Sequence, residues 1–197
     1  MFIIFSGVSA SGKNTVMNRL CKERDNIKKL EYSSGTTRPP RETDKEDRTY
    51  LFFSEDEFKK GIESGKFFEH EEVHGNYYGI LNSALERVIE NQDTHFMRDI
   101  DVHGHQRIRK YFKEKCPVVS IFLDAPDDVL KERLLSRGES PDRVEIRLKR
   151  GQMEREFKGD YDLVIENNDI EKTVREVLKL IDERSKKAID KSWQYKA

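Results

Sequence analysis

Gly7 and Gly12 stand five residues apart, Lys13 follows at once, and the stretch "GVSASGKNT" comes directly after the apolar run "MFIIFS". Glycines in such a loop let the backbone curl so that its N–H groups converge on phosphate oxygens. A helix beginning there adds its positive N-terminal end. Lys13 would hold charge on a transferring phosphoryl group. Gly7, Ser9, Ala10, Ser11, Gly12, Lys13, Asn14 and Thr15 are therefore candidate ligands for the phosphate tail of a nucleotide. The bland alternative is a Gly/Ser-rich turn, and it is outweighed by the strand before the loop and the lysine in phase. Asn14 is the departure. A serine or threonine hydroxyl normally ligates Mg²⁺ there, although an amide carbonyl oxygen is also a hard-cation ligand. Thr15 cannot substitute directly, because one residue along a helix turns the side chain by about 100°.

Three further groups of residues suit anions or cations. "SSGTTRPPRETDKEDRTY" carries Arg38, Arg41 and Arg48, with Tyr50 at its end. Two arginines three apart on a proline-stiffened loop suit one dianionic phosphate; taken alone, the segment reads equally well as a solvated charged loop. Asp99 and Asp101 lie two apart at the end of a strand, hence on one face, where ligands of open parallel sheets collect. "KERLLSRGESPDRVEIRLKR" carries Arg133 and Arg137, four apart on one helix face, then Arg147 and Arg150. Phosphoryl transfer is mostly positioning and charge stabilisation, so arginines on a mobile flap suit it; the rival is a basic helix with surface ion pairs. Glu69, one acid within "EHEE", taken alone is a solvated charge. Arg98, in a central strand, requires a carboxylate partner or a route to a cleft. The five histidines show no metal spacing, and His103 and His105 read as surface residues.

These residues need a scaffold. Phe2–Phe5 and "PVVSIFL" read as buried strands, "THFMRDID" and "DLVIEN" as further strands, and "LEYSS" and "TYLFF" as short ones. Helices are expected from Thr15 to Lys22, at "SEDEFKKGIES" with a Ser54–Glu57 capping box, and at "NSALERVIEN". Others are expected at "HGHQRIRKYF", "PDDVLKERLLSR" and "IEKTVREVLKLIDERSKK". "KFFEHEEVHGNYYG" reads as extended segments meeting at a Gly-Asn turn. Strand, loop and helix alternate, with strands too apolar to face water, so the expectation is an α/β fold with a parallel sheet covered on both faces. The segment from about 33 to 80 breaks that pattern and reads as an inserted lobe.

Composition limits the partners. Charged residues make up 38% and hydrophobic ones 35%, giving a lean core and a charged surface. Lys plus Arg total 37 against 38 Asp plus Glu, so a general polyanion-binding face is not expected and any anion site is local. No apolar run approaches the ~20 residues of a membrane span, and no leader is expected ahead of Phe2. Cys21 and Cys116 lack CxxC spacing, so a zinc site or disulfide framework is not expected and a reducing cytoplasm is the default.

The loop Gly7–Thr15, the arginine loop, "FFEHEEVHGNYYG" and "DIDVHG", in this order and at this spacing up to "VIENND", resemble guanylate kinases over nearly the whole chain. The resemblance implies a P-loop three-layer fold. Its core is expected at about 1–32, 81–136 and 161–188, a GMP-binding lobe at 33–80, a helical lid at 137–160, and a loose tail at 189–197. It implies ATP plus GMP giving ADP plus GDP, with Mg²⁺. Arg38, Arg41, Tyr50 and Tyr78 would hold the GMP phosphate, and Ser34, Glu69 and Asp101 would read guanine. Arg133 would lie on the ATP side, Arg137 and Arg147 at the transferring phosphoryl group, and Asn167 near adenine. Lys13, Arg41, Arg137 and Arg147 are the expected catalytic set; Asn14 and Asp99 would support the metal. Neither nucleic acid nor membrane is an expected partner, and monomer and homodimer are both open. This chain departs from the pattern at Ile80, where serine or threonine is usual, at Gly35, at Asp44, and in a Arg137–Arg147 interval one residue shorter. Two rivals stay open: a monophosphate kinase of relaxed acceptor choice, and a non-catalytic binding module of guanylate-kinase type.

Overall fold

A computed structural model describes residues 1–42, 44, 48–73 and 75–194, with side chains described to Lys186. The chain divides into two compact units, Met1–Lys28 with His95–Ala197, and Lys29–Thr94.

The first unit is built on a five-stranded sheet in the order β2-β7-β1-β8-β9. Its strands are β1 (Phe2–Gly7), β2 (Ile27–Lys29), β7 (His95–Asp99), β8 (Val118–Asp124) and β9 (Leu163–Glu166). Strand β1 pairs in parallel with both β7 and β8, and β8 with β9. The apolar runs are continuous because both faces are covered. On one face Ile3, Phe5, Ile121 and Leu123 pack with Val16 and Leu20 of helix α1 (Lys13–Glu23) and with Val174, Val177 and Ile181 of α7 (Ile170–Gln194). On the other, Phe2 meets Phe112 of α4 (Val102–Phe112) at 5.0 Å between ring centres. Phe122 joins a cluster with Leu130 and Leu134 of α5 (Asp127–Ser136) and Val144 of α6 (Pro141–Arg155). Burying a side chain of this size contributes about 1.5–3 kcal/mol, so the sheet sets the stability of this unit.

Helix ends follow local chemistry. Pro141 occupies the first turn of α6, where its missing N–H costs nothing. Asp101 caps α4 by accepting hydrogen bonds from the N–H groups of His103 and Gly104, both 2.9 Å and both at Oδ1. His103 is exposed. His105, expected at the surface, is instead 1% exposed, because residues 105, 108 and 112 share the helix face turned to the sheet; its ring stacks on Tyr161 at 4.2 Å. Helix α7 runs on to Gln194, through most of the segment expected to be loosely held; 195–197 lie outside the described residues.

The second unit holds a four-stranded sheet in the order β4-β3-β6-β5, made of β3 (Ser34–Thr36), β4 (Tyr50–Phe52), β5 (Phe67–Val73) and β6 (Asn76–Leu81). Helices α2 (Glu55–Glu63) and α3 (Asn82–Glu90) complete it. The expected capping box opens α2: Ser54 Oγ accepts from Glu57 N–H at 3.3 Å, and Glu57 Oε2 accepts from Ser54 N–H at 2.8 Å. "LEYSS" is not a strand as expected. β2 ends at Lys29, β3 begins at Ser34, and Tyr32 between them takes a left-handed φ of 48° that breaks the extended run. Among the described residues no helix is long and apolar enough to cross a membrane.

Candidate functional site

The loop Gly7–Gly12 leaves β1 and enters α1 as the motif requires. Three of its residues adopt positive φ: Gly7 at 135°, Ala10 at 65° and Gly12 at 94°. A Cβ on Gly7 would stand 1.9 Å from the Leu123 carbonyl oxygen, so no side chain fits there. Lys13 folds back over the loop and its Nζ donates to the carbonyls of Gly7 (2.8 Å) and Val8 (3.2 Å).

Beside the loop lies a cleft of about 320 Å³ lined by Gly7, Ser9, Lys13, Asp99, Asp101, Arg147, Arg150 and Glu154, among others. Three cations and three carboxylates thus share one hollow at the C-terminal ends of β1 and β7. Asp99 is open, but onto the cleft. Removal from water pushes its carboxyl above the usual range, Glu154 and Asp101 push the same way, and Lys13 and Arg98 pull it down. Arg98, expected to pair with a carboxylate or to reach a cleft, acts electrostatically on neighbouring Asp99. Arg147 NH1 donates to Ser9 Oγ at 3.0 Å while its NH2 pairs with Glu139 Oε1 at 2.8 Å. Arg150 pairs with Glu154 at 2.9 Å.

Helix α6 carries Arg147, Arg150 and Glu154 on one face, at spacings of three and four. Its C-terminal end meets Asp124, at the end of β8. Arg155 Nε donates to both Asp124 oxygens at 3.1 and 2.9 Å, Lys158 Nζ lies 2.6 Å from Oδ2, and Arg155 also pairs with Asp127 at 2.7 Å. Burial would push the Asp124 carboxyl up, yet the Arg155 and Lys158 hydrogen bonds hold it below the usual range. Losing one partner of such a pair leaves an uncompensated charge. Glu139, Glu154 and this ion cluster are not in the expected set; only the helical spacing of 147, 150 and 154 signals any of them.

Other expected residues fall elsewhere. Asn14 and Thr15 are exposed on the first turn of α1, and Arg137 is exposed at the end of α5; none lines the cleft. Arg133, expected on the ATP side, and Asn167, expected near adenine, both donate to the loop itself. Arg133 donates to Ala10 O and Asn167 O, both at 3.2 Å, and the Asn167 side-chain amide donates to Ser11 O at 2.7 Å. The reason is that carbonyls on the back of the loop need donors.

The second unit gathers most of the other group. Across its sheet, Glu69 is level with Ile80, Ile80 with Ser34, and Ser34 with Tyr50. Two residues on, Thr36 is level with Tyr78 and Phe52. All of these point to one face. The opposite face packs on α2: a Cβ at Gly35 would be 2.7 Å from the Phe67 ring, and one at Gly79 2.8 Å from it. Gly35 thus makes room for an aromatic slab of Phe53, Phe58 and Phe67, whose last two rings stack at 4.1 Å. Arg38 is buried, and its guanidinium forks onto Asp44 at 3.0 and 2.9 Å. It also lies 5.3 Å from the Tyr50 ring centre, and Tyr50 meets Tyr78 edge-on at 6.2 Å. The Asp44 hydrogen bonds raise the Arg38 pKa and lower that of Asp44. Asp44 also accepts from the Arg41 N–H at 2.5 Å, while Arg41 itself is exposed.

A glycine loop at the end of β1, a lysine and arginines around one cleft, and a parallel sheet between helix layers define a kinase of the P-loop class. The crystal structure of shikimate kinase from Bacteroides thetaiotaomicron shares this fold (TM-score 0.51, 14% identity, 92% of this chain and 98% of that one). A sequence profile of the guanylate kinase family matches residues 1–184. The guanylate kinase of Bacteroides thetaiotaomicron is 38% identical, over 92% of this chain and 88% of its own. That of Helicobacter pylori is 37% identical over 90% and 84%. The crystal structure of guanylate kinase from Anaplasma phagocytophilum superposes with a TM-score of 0.64 at 31% identity, covering 93% of this chain and 85% of that one. The chain belongs to the guanylate kinase family, whose reaction is phosphoryl transfer from ATP to GMP.

Proposed function

We propose that the cleft of the first unit holds the phosphates of ATP, that the ligand face of the second unit's sheet holds GMP, and that the products are ADP and GDP. The observation that carries this reading is the meeting of Lys13, Arg147, Asp99 and Asp101 in one cleft beside a glycine loop. Backbone N–H groups from Ser9 to Thr15 would bind the phosphate tail, and Lys13 and Arg147 the charge of the transferring group. Arg38, Arg41, Tyr50 and Tyr78 would bind the GMP phosphate, and Arg137 would join Lys13 and Arg147 at the transferring group. Ser34 and Glu69 would read guanine, with Asp101 assisting. The acceptor phosphate oxygen is already ionised, so no strong general base is required.

The residues present fit Mg²⁺. It usually takes one or two carboxylates, phosphate oxygens and waters rather than an all-protein cage. Asp99 opens on the cleft, and Asp101 spends only Oδ1 on its helix cap. Among the described residues no three acidic, histidine or cysteine side chains form a metal cluster. Asn14 would contribute its amide oxygen. Mg²⁺, when bound, supplies neutralisation of the phosphate charge. Changing Asn14→Ser shortens the ligand and restores a hydroxyl. It is expected to lower the Mg²⁺ needed for half-maximal rate by a factor of roughly three; a Mg²⁺ titration showing no change counts against that role for Asn14.

Ile80 favours a second reading. It sits between Glu69 and Ser34 in the base-reading row and offers a base no hydrogen bond. Relaxed acceptor choice would follow. A coupled ADP-release assay across GMP, dGMP, AMP, UMP and CMP, with Mg²⁺ titrated, separates the readings. Turnover confined to GMP and dGMP is expected. Comparable rates on AMP or a pyrimidine would establish the relaxed kinase, and ATP binding without turnover on any acceptor would establish a binding module.

A further inference from the structure

The back of the phosphate loop is tied by two side chains that come from distant parts of the chain. A loop whose N–H groups point into an anion site turns its carbonyls outward. Two successive outward carbonyls are caught: Ala10 O by the Arg133 guanidinium at 3.2 Å, and Ser11 O by Asn167 Nδ2 at 2.7 Å. Asn167 is itself fixed. Its Oδ1 accepts from Thr173 Oγ1 at 2.9 Å, its own carbonyl accepts from Arg133 at 3.2 Å, and its N–H donates to Asp124 O at 2.8 Å. Ser11, Asn167 and Thr173 are 0%, 6% and 1% exposed. The amide orientation has one solution, because the Ser11 carbonyl can only accept, so the NH₂ must face it. Gly12 completes the arrangement: a Cβ there would stand 2.5 Å from Asn167 Nδ2.

We propose that Asn167, oriented by Thr173, is a positioning residue that holds the phosphate loop in its anion-binding shape, with Arg133 as its companion on the next carbonyl, rather than a contact for the adenine base. This rests on the reading of the loop as the ATP phosphate site. The loop's two glycines give it more chain entropy to lose on ordering; a donor fixed behind it keeps its N–H groups convergent before the nucleotide arrives.

The distinguishing substitution is Asn167→Asp. It keeps shape and acceptor oxygens but sets a carboxylate against the Ser11 carbonyl. A base contact made through the acceptor oxygen to an exocyclic amine would survive it; the loop tie would not. Binding is measured by calorimetry for Mg-ATP and for Mg-tripolyphosphate, which has no base, with kcat and KM alongside. Asn167→Asp and Thr173→Val are expected to weaken both ligands by the same factor, about tenfold, and to lower kcat. Thr173→Ser, which retains the hydroxyl, is expected to restore binding to within about twofold. Weakened ATP binding with tripolyphosphate unaffected would overturn the proposal in favour of a base contact. So would unchanged binding of both ligands in folded Asn167→Asp or Thr173→Val protein, judged by the thermal midpoint. Failure of the unaltered protein to bind either ligand would remove the reading of the loop, and the tie with it.

Discussion

With Lys13 replaced by methionine, turnover on ATP and GMP falls by about three orders of magnitude, while the unfolding midpoint moves by no more than about 5 °C. Methionine keeps the length of the side chain and removes only the charge and its donors. In the structure the Lys13 ammonium is hydrogen-bonded to the carbonyls of Gly7 and Val8, and among the described residues no carboxylate is in direct ion-pair contact with it, although Asp99 feels its charge across the cleft. A phosphate arriving in the cleft therefore recruits this cation without first breaking an ion pair. The cost of removal falls on the charge-separated transition state and hardly at all on the fold. Steady-state kcat with saturating Mg²⁺ is the measurement; activity within tenfold of the unaltered protein would show that Arg147 or Arg150 supplies the charge instead.

Glu69→Gln is expected to lower kcat/KM for GMP by about a hundredfold and to erase most of the preference for GMP over IMP. Guanine presents N1–H and an exocyclic NH₂ side by side, two parallel donors, and a carboxylate accepts both. An amide accepts one and meets the other with its own donor. The penalty is large here because Ile80, the cross-strand neighbour of Glu69 on β6, has no polar side-chain atom to share the task. IMP lacks the exocyclic amine, so its rate changes less. Parallel kinetics with GMP and IMP decide the matter, and an unchanged GMP-to-IMP ratio would place guanine reading elsewhere.

What the sequence discloses depends on how local the cause is. The phosphate loop is legible because glycines, lysine and flanking strand lie within fifteen residues. The capping box at Ser54 is legible for the same reason. The face that carries Glu69 is not. Strict alternation from Phe67 would put Glu69 on the aromatic side of the sheet, but the pairing shifts between Phe67 and Glu69 and reverses it. Tyr32 breaks a promising extended run with a backbone angle that no glycine announces. Arg147 finds Ser9 across 138 residues, and Asn167 finds Ser11 across 156. Spacing along the chain carries no information about such pairs until the sheet order is known. The sequence marks Arg38 only as a candidate anion ligand, whereas its fork onto Asp44, six residues on, depends on how the loop turns.

The ion cluster at Asp124 gives α6 unequal ends. Arg155 and Lys158 fasten the trailing end to the sheet, and the middle of the helix meets the phosphate loop through the Arg147–Ser9 hydrogen bond and through Gly151 and Val144, which pack on Val8. Arg147 stands eight residues before Arg155, a lever arm of about 12 Å. A swing of roughly 20° about the fastened end would carry its guanidinium about 4 Å. Because Val8 of the glycine loop is seated on Gly151 and Val144, any tilt of α6 is transmitted to the backbone of that loop.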